Sequence, residues 1–291
     1  MNARTVNFFS EGTKMEGDLF LPSDYKAGER RPAIVLCHGF TGVRSLILGD
    51  YAKVFYAAGF VVLTFDYRGY GGSEGTRRRL IPLEQIDDIR NAISFVETLP
   101  EVDPNRIGLW GTSFGGANAP YAAGVDTRIK AVVGQVGFGD GERFLLDTRR
   151  FGEREELLQA VAEDRCRRAV EGVGKRLNPF DALNSAQTYG FVRETLKDVA
   201  PSIDISWETI EKTLEYKPIE VIDRIAPRAL LLIGARDDDL CRIEGYENLY
   251  EWAREPKKLV VLPITHYEIY GGKWLDESSR LACEWFERFL K

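Results

Sequence analysis

The pentapeptide Gly111–Gly115 combines residue types that suit nucleophilic catalysis by a serine. It has the pattern Gly-x-Ser-x-Gly and lies between the apolar run Arg106–Trp110 and the small-residue segment Gly116–Ala123. A sharp turn from a strand into a helix would present the Ser113 hydroxyl at a helix N-terminus, where developing negative charge is favoured. We therefore predict that Ser113 is a nucleophile.

The base that activates this serine must be His38 or His266, because the chain contains only 2 His. A serine hydroxyl is a weak nucleophile until a base accepts its proton. His266 follows the apolar run Lys258–Leu262, and loops at the carboxyl ends of parallel strands gather over one edge of an open sheet. We predict His266 as the base, whereas His38 follows an earlier strand and is not predicted to take the proton.

The candidates for an orienting acid are three consecutive aspartates, Asp237, Asp238 and Asp239, which follow the apolar run Ala229–Ile233. At most one of them is expected to accept a hydrogen bond from the imidazole and so hold its tautomer. The others are expected to lie in solvent or to cap the next helix. The residues alone do not distinguish the three.

Short apolar runs that alternate with helical patterns would position these residues. The runs are Ala33–Cys37, Phe60–Phe65, Arg106–Trp110, Ile129–Val136, Ala229–Ile233 and Lys258–Leu262. Nearly continuous apolar runs are typical of strands buried on both faces of a parallel sheet, while Leu83–Leu99 has apolar residues at helical spacing. The pattern predicts an α/β fold with a doubly wound, mostly parallel sheet. Thr5–Phe9 and Asp18–Leu21 would add an antiparallel hairpin at its edge.

The roughly 90 residues between Val136 and Ala229 are too many for a simple crossover. Helices are predicted within them at Glu153–Val170, Phe191–Val199 and Trp207–Leu214. We predict a core formed by residues 1–136 and 228–291, with residues 137–227 as a helical cap inserted over the sheet.

Four motifs, in the same order along the chain, resemble those of α/β-hydrolase-fold serine hydrolases. They are His38-Gly39-Phe40, the glycine-rich segment Asp66–Ser73, the Ser113 pentapeptide, and Gly234-x-x-Asp237 followed by His266. The resemblance covers the chain from about Ala33 onward. The local sequence is similar to the dienelactone-hydrolase-like, X-Pro dipeptidyl-peptidase-like and acyl-peptidase-like branches, although dienelactone hydrolase itself has a cysteine at the position of Ser113.

The resemblance implies a catalytic triad of Ser113, Asp237 and His266, because in this family the acid is the aspartate three residues after the glycine. It also implies an oxyanion hole built from the backbone N–H groups of Phe40 and Phe114.

Two tyrosines are candidates to line the substrate pocket. Tyr67 lies in the glycine-rich segment and Tyr267 is adjacent to the predicted base.

The composition excludes several other classes of function. Lys+Arg 39 against Asp+Glu 45 gives a net charge of −6, which argues against a nucleic-acid-binding face. There is no apolar run of about 20 residues and no recognisable signal peptide, and the 4 Cys are scattered without a Cys-x-x-Cys pair. We expect a cytoplasmic enzyme that uses no cofactor and no metal. Its expected partner is a small-molecule acyl substrate, not nucleic acid or a membrane, and a homodimer is left open.

The predicted reaction is hydrolysis of an ester, lactone or thioester through an acyl-enzyme. The same triad would serve an amidase or peptidase, or a hydrolase of carbon–carbon bonds in a diketone-like substrate. A non-catalytic binding protein on a hydrolase fold is a further alternative, against which the intact triad argues. A peptidase that binds a substrate's N-terminal amine would need acidic residues over the pocket.

Overall fold

The strands of the structure, a computed structural model that describes residues 3–195 and 203–291, form one large sheet and one small one. They are Ala3–Ser10 (β1), Thr13–Phe20 (β2), Arg31–Cys37 (β3), Val61–Phe65 (β4), Val102–Thr112 (β5), Ile129–Gln135 (β6), Arg176–Leu177 (β7), Ile205–Ser206 (β8), Ala229–Ala235 (β9) and Lys257–Leu262 (β10). The large sheet has the spatial order β1-β2-β4-β3-β5-β6-β9-β10. Its β1–β2 and β2–β4 pairs are antiparallel and the others are parallel, so the predicted mostly parallel sheet is confirmed.

Helices cover both faces of this sheet. The α-helices are Leu48–Ala57 (α1), Pro82–Glu97 (α2), Phe114–Val125 (α3), Gly141–Leu146 (α4), Phe151–Glu171 (α5), Pro179–Leu183 (α6), Ala186–Thr195 (α7), Trp207–Leu214 (α8), Ile243–Trp252 (α9) and Gly272–Leu290 (α10). Along β3, Ile34 packs in a cluster with Phe55 of α1 and Phe286 of α10. Its neighbour Val35 packs in a second cluster with residues of α2, α3 and α9. Because alternate side chains point to opposite faces, both faces of a central strand must be apolar, and the sequence therefore shows a continuous apolar run.

The segment between β6 and β9 contains helices α4 to α8 and the small β7–β8 pair. Helix α8 has the predicted bounds, whereas α7 begins at Ala186, five residues before the predicted Phe191. Residues 196–199 of that predicted helix lie outside the described residues. The division into a core and a cap at residues 137 and 227 stays a prediction. None of the described helices is both long and apolar enough to cross a membrane.

Candidate active site

Ser113 occupies the turn between β5 and α3 with φ 56° and ψ −122°. A positive φ is uncommon for a residue other than glycine, and such backbone conformations cluster at functional sites. The turn is held by hydrogen bonds: the Ser113 N–H donates to the Gln135 carbonyl at 2.9 Å, and the Ser113 carbonyl accepts from the Gly116 N–H at 2.8 Å. The surrounding backbone therefore fixes the position of the serine.

The two glycines of the pentapeptide are required by close backbone approach. A Cβ atom at Gly111 would lie 1.9 Å from the Gly115 carbonyl oxygen. A Cβ atom at Gly115 would lie 2.3 Å from the carbonyl oxygen of Cys37 and 2.6 Å from that of His38. The Gly-x-Ser-x-Gly pattern thus lets α3 start directly behind the strand and pack against the loop after β3.

His266 connects the serine to an acid. Its Nε2 lies 3.1 Å from the Ser113 Oγ, and its Nδ1 lies 2.6 Å from Oδ2 of Asp238. The imidazole is 1% exposed. If Nδ1 carries the proton and donates it to Asp238, Nε2 is free to accept the Ser113 proton, which is the arrangement that a serine nucleophile requires. The structure therefore brings the predicted nucleophile and the predicted base together.

The prediction of Asp237 as the acid that contacts the imidazole is wrong: Asp238 makes that contact. The Asp237 side chain is 52% exposed and pairs with Arg236, whose guanidinium lowers the pKa of Asp237. The backbone N–H groups of Arg236 and Asp237 still donate to the Leu262 and Ile264 carbonyls. The backbone turns at Arg236 and Asp237, directly after the end of β9 at Ala235, and this turn leaves the Asp237 side chain in solvent while the buried Asp238 reaches the imidazole.

Asp238 is held by the turn that follows it. Its Oδ1 accepts hydrogen bonds from the N–H groups of Leu240 at 2.8 Å and Cys241 at 2.7 Å, which leaves Oδ2 for His266. Such side-chain to backbone bonds are typical of aspartate in turns. The carboxylate of the neighbouring Asp239 does not bind His266. It accepts hydrogen bonds from the Ser185 hydroxyl at 2.6 Å and from the Gln187 N–H at 3.1 Å, at the start of α7.

The loop after β3 lies against the nucleophile. A Cβ atom at Gly39 would be 3.0 Å from the Ser113 Cβ, so Phe40 follows directly after the point of contact. Phe114 is the first residue of α3, and the first N–H groups of a helix have no acceptor within it. Both phenylalanines also line the cavity above Ser113. The positions of Phe40 and Phe114 are compatible with the predicted oxyanion hole, whose function stays a prediction.

His38 has a structural place in this loop. Its Nδ1 lies 3.0 Å from the Gly39 carbonyl oxygen, which also accepts from the Gly42 N–H at 3.1 Å. Burial lowers the pKa of His38, which favours the neutral imidazole. The side chain therefore shapes the turn that presents Phe40.

A buried ion pair, which the sequence did not reveal, anchors the same loop. Asp66 is 1% exposed, accepts a hydrogen bond from the Arg44 N–H at 2.7 Å and pairs with the Arg44 guanidinium. The guanidinium also donates to Asp18 at 2.8 Å and to Glu16 at 2.6 Å, both on β2. The glycine-rich segment after β4 thus ties the loop over the nucleophile to the edge hairpin.

An apolar cavity of about 290 Å³ opens above Ser113 and His266. Its apolar lining residues are Phe40, Val43, Leu46, Ile47, Leu48, Phe114, Phe144, Phe180, Leu183, Phe191, Ile203, Leu240, Tyr267 and Tyr270. Of the two tyrosines predicted to line the substrate pocket, the structure places Tyr267 in the lining of this cavity and Tyr67 outside it, and a role for Tyr267 in substrate binding stays a prediction. Tyr67 is fully buried behind the loop, where its ring packs edge-on against His38 with centroids 4.6 Å apart. Among the described lining residues there is no aspartate, glutamate, lysine or arginine.

A second cavity of about 310 Å³ adjoins the first. Phe144 and Leu240 line both cavities and so form a shared wall. The lining of the second cavity also includes the charged residues Asp140, Arg143 and Arg242.

Within the described part of the chain, one group of side chains has the types and proximity of metal ligands: Asp238, Cys241 and His266, whose ligand atoms lie within 4.8 Å of one another. Burial raises the pKa of Cys241 well above its ordinary value, which favours the neutral thiol over the metal-binding thiolate. The 2.6 Å separation of the His266 and Asp238 atoms is that of a hydrogen bond. The group therefore fits a charge-assisted hydrogen bond better than a metal centre.

The fold is that of an α/β-hydrolase. Residues 11–268 match the model of the X-Pro dipeptidyl-peptidase (S15) family, and the chain belongs to that family. It is 33% identical to an uncharacterized 31.7 kDa protein of the traX-finO intergenic region of Escherichia coli, over 90% of this chain and 92% of that protein.

Two named relatives extend the comparison. The chain is 30% identical to the thiohydrolase aneE of Aspergillus aculeatus, over 86% of this chain and 81% of that protein. The crystal structure of the α/β-hydrolase GrgF from Penicillium sp. sh18 superposes with a TM-score of 0.84 at 26% identity, covering 100% of this chain and 99% of that one. The protein is therefore a hydrolase of the α/β-hydrolase fold.

Proposed function

We propose that this hydrolase cleaves a carboxylic ester, lactone or thioester with an apolar acyl group. The observation that carries the proposal is the hydrogen-bonded series Ser113–His266–Asp238, which opens onto a cavity of about 290 Å³ lined by apolar side chains. The relative named a thiohydrolase supports a thioester as one of the substrate types.

The reaction begins when the Ser113 Oγ attacks the acyl carbonyl carbon while His266 Nε2 accepts the hydroxyl proton. Asp238 holds the imidazole orientation and stabilises the imidazolium. The backbone N–H groups of Phe40 and Phe114 are proposed to donate to the oxyanion. Collapse of the tetrahedral intermediate breaks the bond to the leaving oxygen or sulfur, which takes the proton from His266. Water then adds to the acyl-enzyme by the same steps and releases the acid and free Ser113.

The cavity favours acyl transfer from esters and thioesters over cleavage of peptides. Recognition of a substrate's N-terminal amine calls for a carboxylate, because a buried ammonium without a partner is costly. None of the described lining residues supplies one. An apolar acyl chain, in contrast, would gain about 0.8 kcal/mol for each methylene group that the cavity buries.

The proposal is tested with purified protein and a matched set of substrates: p-nitrophenyl butyrate, an S-butyryl thioester, a γ-lactone and alanyl-proline p-nitroanilide. We expect hydrolysis of the ester or the thioester, loss of that activity in Ser113→Ala, and at least 100-fold lower kcat/KM for the anilide. Faster cleavage of the anilide than of every ester and thioester would contradict the proposed substrate class.

A further inference from the structure

The helical segment between β6 and β9 touches the loops of both the base and the acid. Helix α7 begins at Ala186, and the residues around its start contact the loop after β9 and the loop after β10. Those loops carry Asp238 and His266. The relative position of the two side chains thus depends on a part of the chain that is remote from both in sequence.

Gln187 joins the two loops through one carboxamide group. Its Oε1 accepts a hydrogen bond from the His266 backbone N–H at 3.0 Å, and its Nε2 donates to the Asp237 carbonyl at 2.6 Å. The Asp237 carbonyl belongs to the peptide unit that leads into Asp238. The two ends of the carboxamide therefore hold the backbone next to the acid and the backbone of the base.

Asp239 fixes the position of Gln187. One carboxylate oxygen accepts from the Ser185 hydroxyl at 2.6 Å and the other from the Gln187 N–H at 3.1 Å. A carboxylate at the first turn of a helix is stabilised by the unpaired N–H groups and by the helix dipole. The last of the three aspartates thus anchors the start of α7 to the loop that carries the acid.

Thr188 and Phe191 of α7 also hold the base loop from the same side. The Thr188 hydroxyl lies 3.0 Å from the Tyr267 hydroxyl, and the Phe191 ring stacks on the Tyr267 ring with centroids 4.2 Å apart and planes at 7°. Phe191 and Tyr267 also line the cavity above Ser113. One face of α7 therefore contributes both to the cavity wall and to the support of His266.

We propose that Gln187 is a positioning residue for the His266–Asp238 pair, so that docking of α7 and alignment of the triad are a single event. This inference rests on the proposed function. Gln187 itself does not touch the reacting atoms; it acts through the two backbone segments that it joins. Since a displacement of about 1 Å at a catalytic group can cost about 100-fold in rate, loss of the bridge should lower kcat far more than it changes KM.

The test compares Gln187→Ala and Gln187→Glu with wild type, using the best ester or thioester substrate and titration with a fluorophosphonate to count competent sites. In Gln187→Ala we expect kcat per site to fall about 10- to 100-fold, with KM within threefold and the melting temperature within a few degrees. Gln187→Glu keeps an acceptor for the His266 N–H but turns a second acceptor toward the Asp237 carbonyl oxygen, so its kcat should fall at least as far as that of Gln187→Ala.

Gln159→Ala is the matched control, because Gln159 lies on α5 and its exposed side chain donates to Glu163 at 2.9 Å, away from the loops of the acid and the base. Its kcat should equal that of wild type. A kcat for Gln187→Ala within twofold of wild type, or a loss that appears only as a higher KM, would overturn the inference. It would also be overturned if Gln187→Glu kept a kcat within twofold of wild type. Failure of the proposed function is distinct, since wild type itself would then hydrolyse none of the substrates or would cleave the anilide faster than every ester and thioester.

Discussion

Replacing Asp238 by asparagine should remove most of the activity while leaving the fold intact. The reason lies in the environment of its two oxygens. Oδ1 accepts two backbone N–H groups, from Leu240 and Cys241, and Oδ2 faces the His266 Nδ1 at 2.6 Å. In Asp238→Asn the carbonyl oxygen must stay with the two N–H donors, because an NH₂ group there would meet donors only. The NH₂ group is then directed at His266.

An NH₂ donor facing Nδ1 selects the imidazole tautomer that carries its proton on Nε2. That tautomer donates to the Ser113 Oγ at 3.1 Å and cannot accept the serine proton. In a well-studied serine protease the equivalent change lowers kcat by about 10⁴-fold, so we expect a loss of about 10⁴-fold here. At about 1.36 kcal/mol for each factor of ten, this is about 5.4 kcal/mol of transition-state stabilisation.

The matched control is Asp237→Asn. Asp237 is 52% exposed and its carboxylate pairs with Arg236, so the same change one residue earlier should alter kcat by less than twofold. The assay is steady-state hydrolysis of the best ester or thioester, with circular dichroism and thermal unfolding to verify that both variants are folded. If Asp237→Asn caused the large loss and Asp238→Asn did not, the assignment of the acid from the geometry would be refuted.

Further predictions concern the cavity wall, the serine turn and the buried histidine. Leu240→Ala should join the two cavities of about 290 and 310 Å³ and raise kcat/KM for octanoyl relative to acetyl esters by about tenfold; an unchanged ratio would show that Leu240 does not limit chain length. Gly115→Ala places a Cβ 2.3 Å from a backbone carbonyl and should lower the free energy of unfolding in urea by about 1–3 kcal/mol. Gly152→Ala, with nothing within 4 Å of the added Cβ, should not destabilise the protein. Burial lowers the pKa of His38. Below about pH 6.5, His38 therefore binds a proton more readily in the unfolded chain than in the folded protein. From pH 7.5 to 5.5 wild type should therefore lose more free energy of unfolding than His38→Gln, by up to about 1.4 kcal/mol per pH unit; equal losses would contradict this.

The strands were predictable because burial on both faces leaves little choice of residue type. Each predicted apolar run coincides with a strand, for example Ala229–Ile233 with β9 at Ala229–Ala235. The serine turn was predictable for a related reason, since close backbone approach requires glycine at Gly111 and Gly115. In both cases the constraint acts on the residue itself and leaves a local signal in the sequence.

The identity of the acid was not predictable in the same way. Three adjacent aspartates differ only in the direction of their side chains, and that direction depends on how far the backbone pairing with the neighbouring loop continues beyond β9. The Asp237 N–H donates to the Ile264 carbonyl, which holds the Asp237 backbone against the loop after β10. The aspartate whose side chain faces His266 is therefore the next residue, Asp238. The segment is a turn and not a continued strand, and a count from a glycine does not detect which of its carboxylates faces inward.

Contacts between distant segments left no signal either. Tyr67 and Tyr267 have the same residue type next to a motif, but only Tyr267 reaches the cavity, because the Tyr67 ring is covered by the loop of His38. The bridge made by Gln187 joins loops 50 and 79 residues away along the chain. The packing of α7 against the loops after β9 and β10 brings these groups together.

The most direct test of the central claim is to locate the nucleophile by mass spectrometry. The protein is treated with a fluorophosphonate, digested with trypsin and sequenced, and the informative peptide is Ile107–Arg128, in which Ser113 is the sole serine. We predict a phosphonate adduct on Ser113 that appears in step with the loss of hydrolase activity and is absent from Ser113→Ala and His266→Ala. Loss of activity with the adduct on another residue, or full activity with Ser113 modified, would contradict the account.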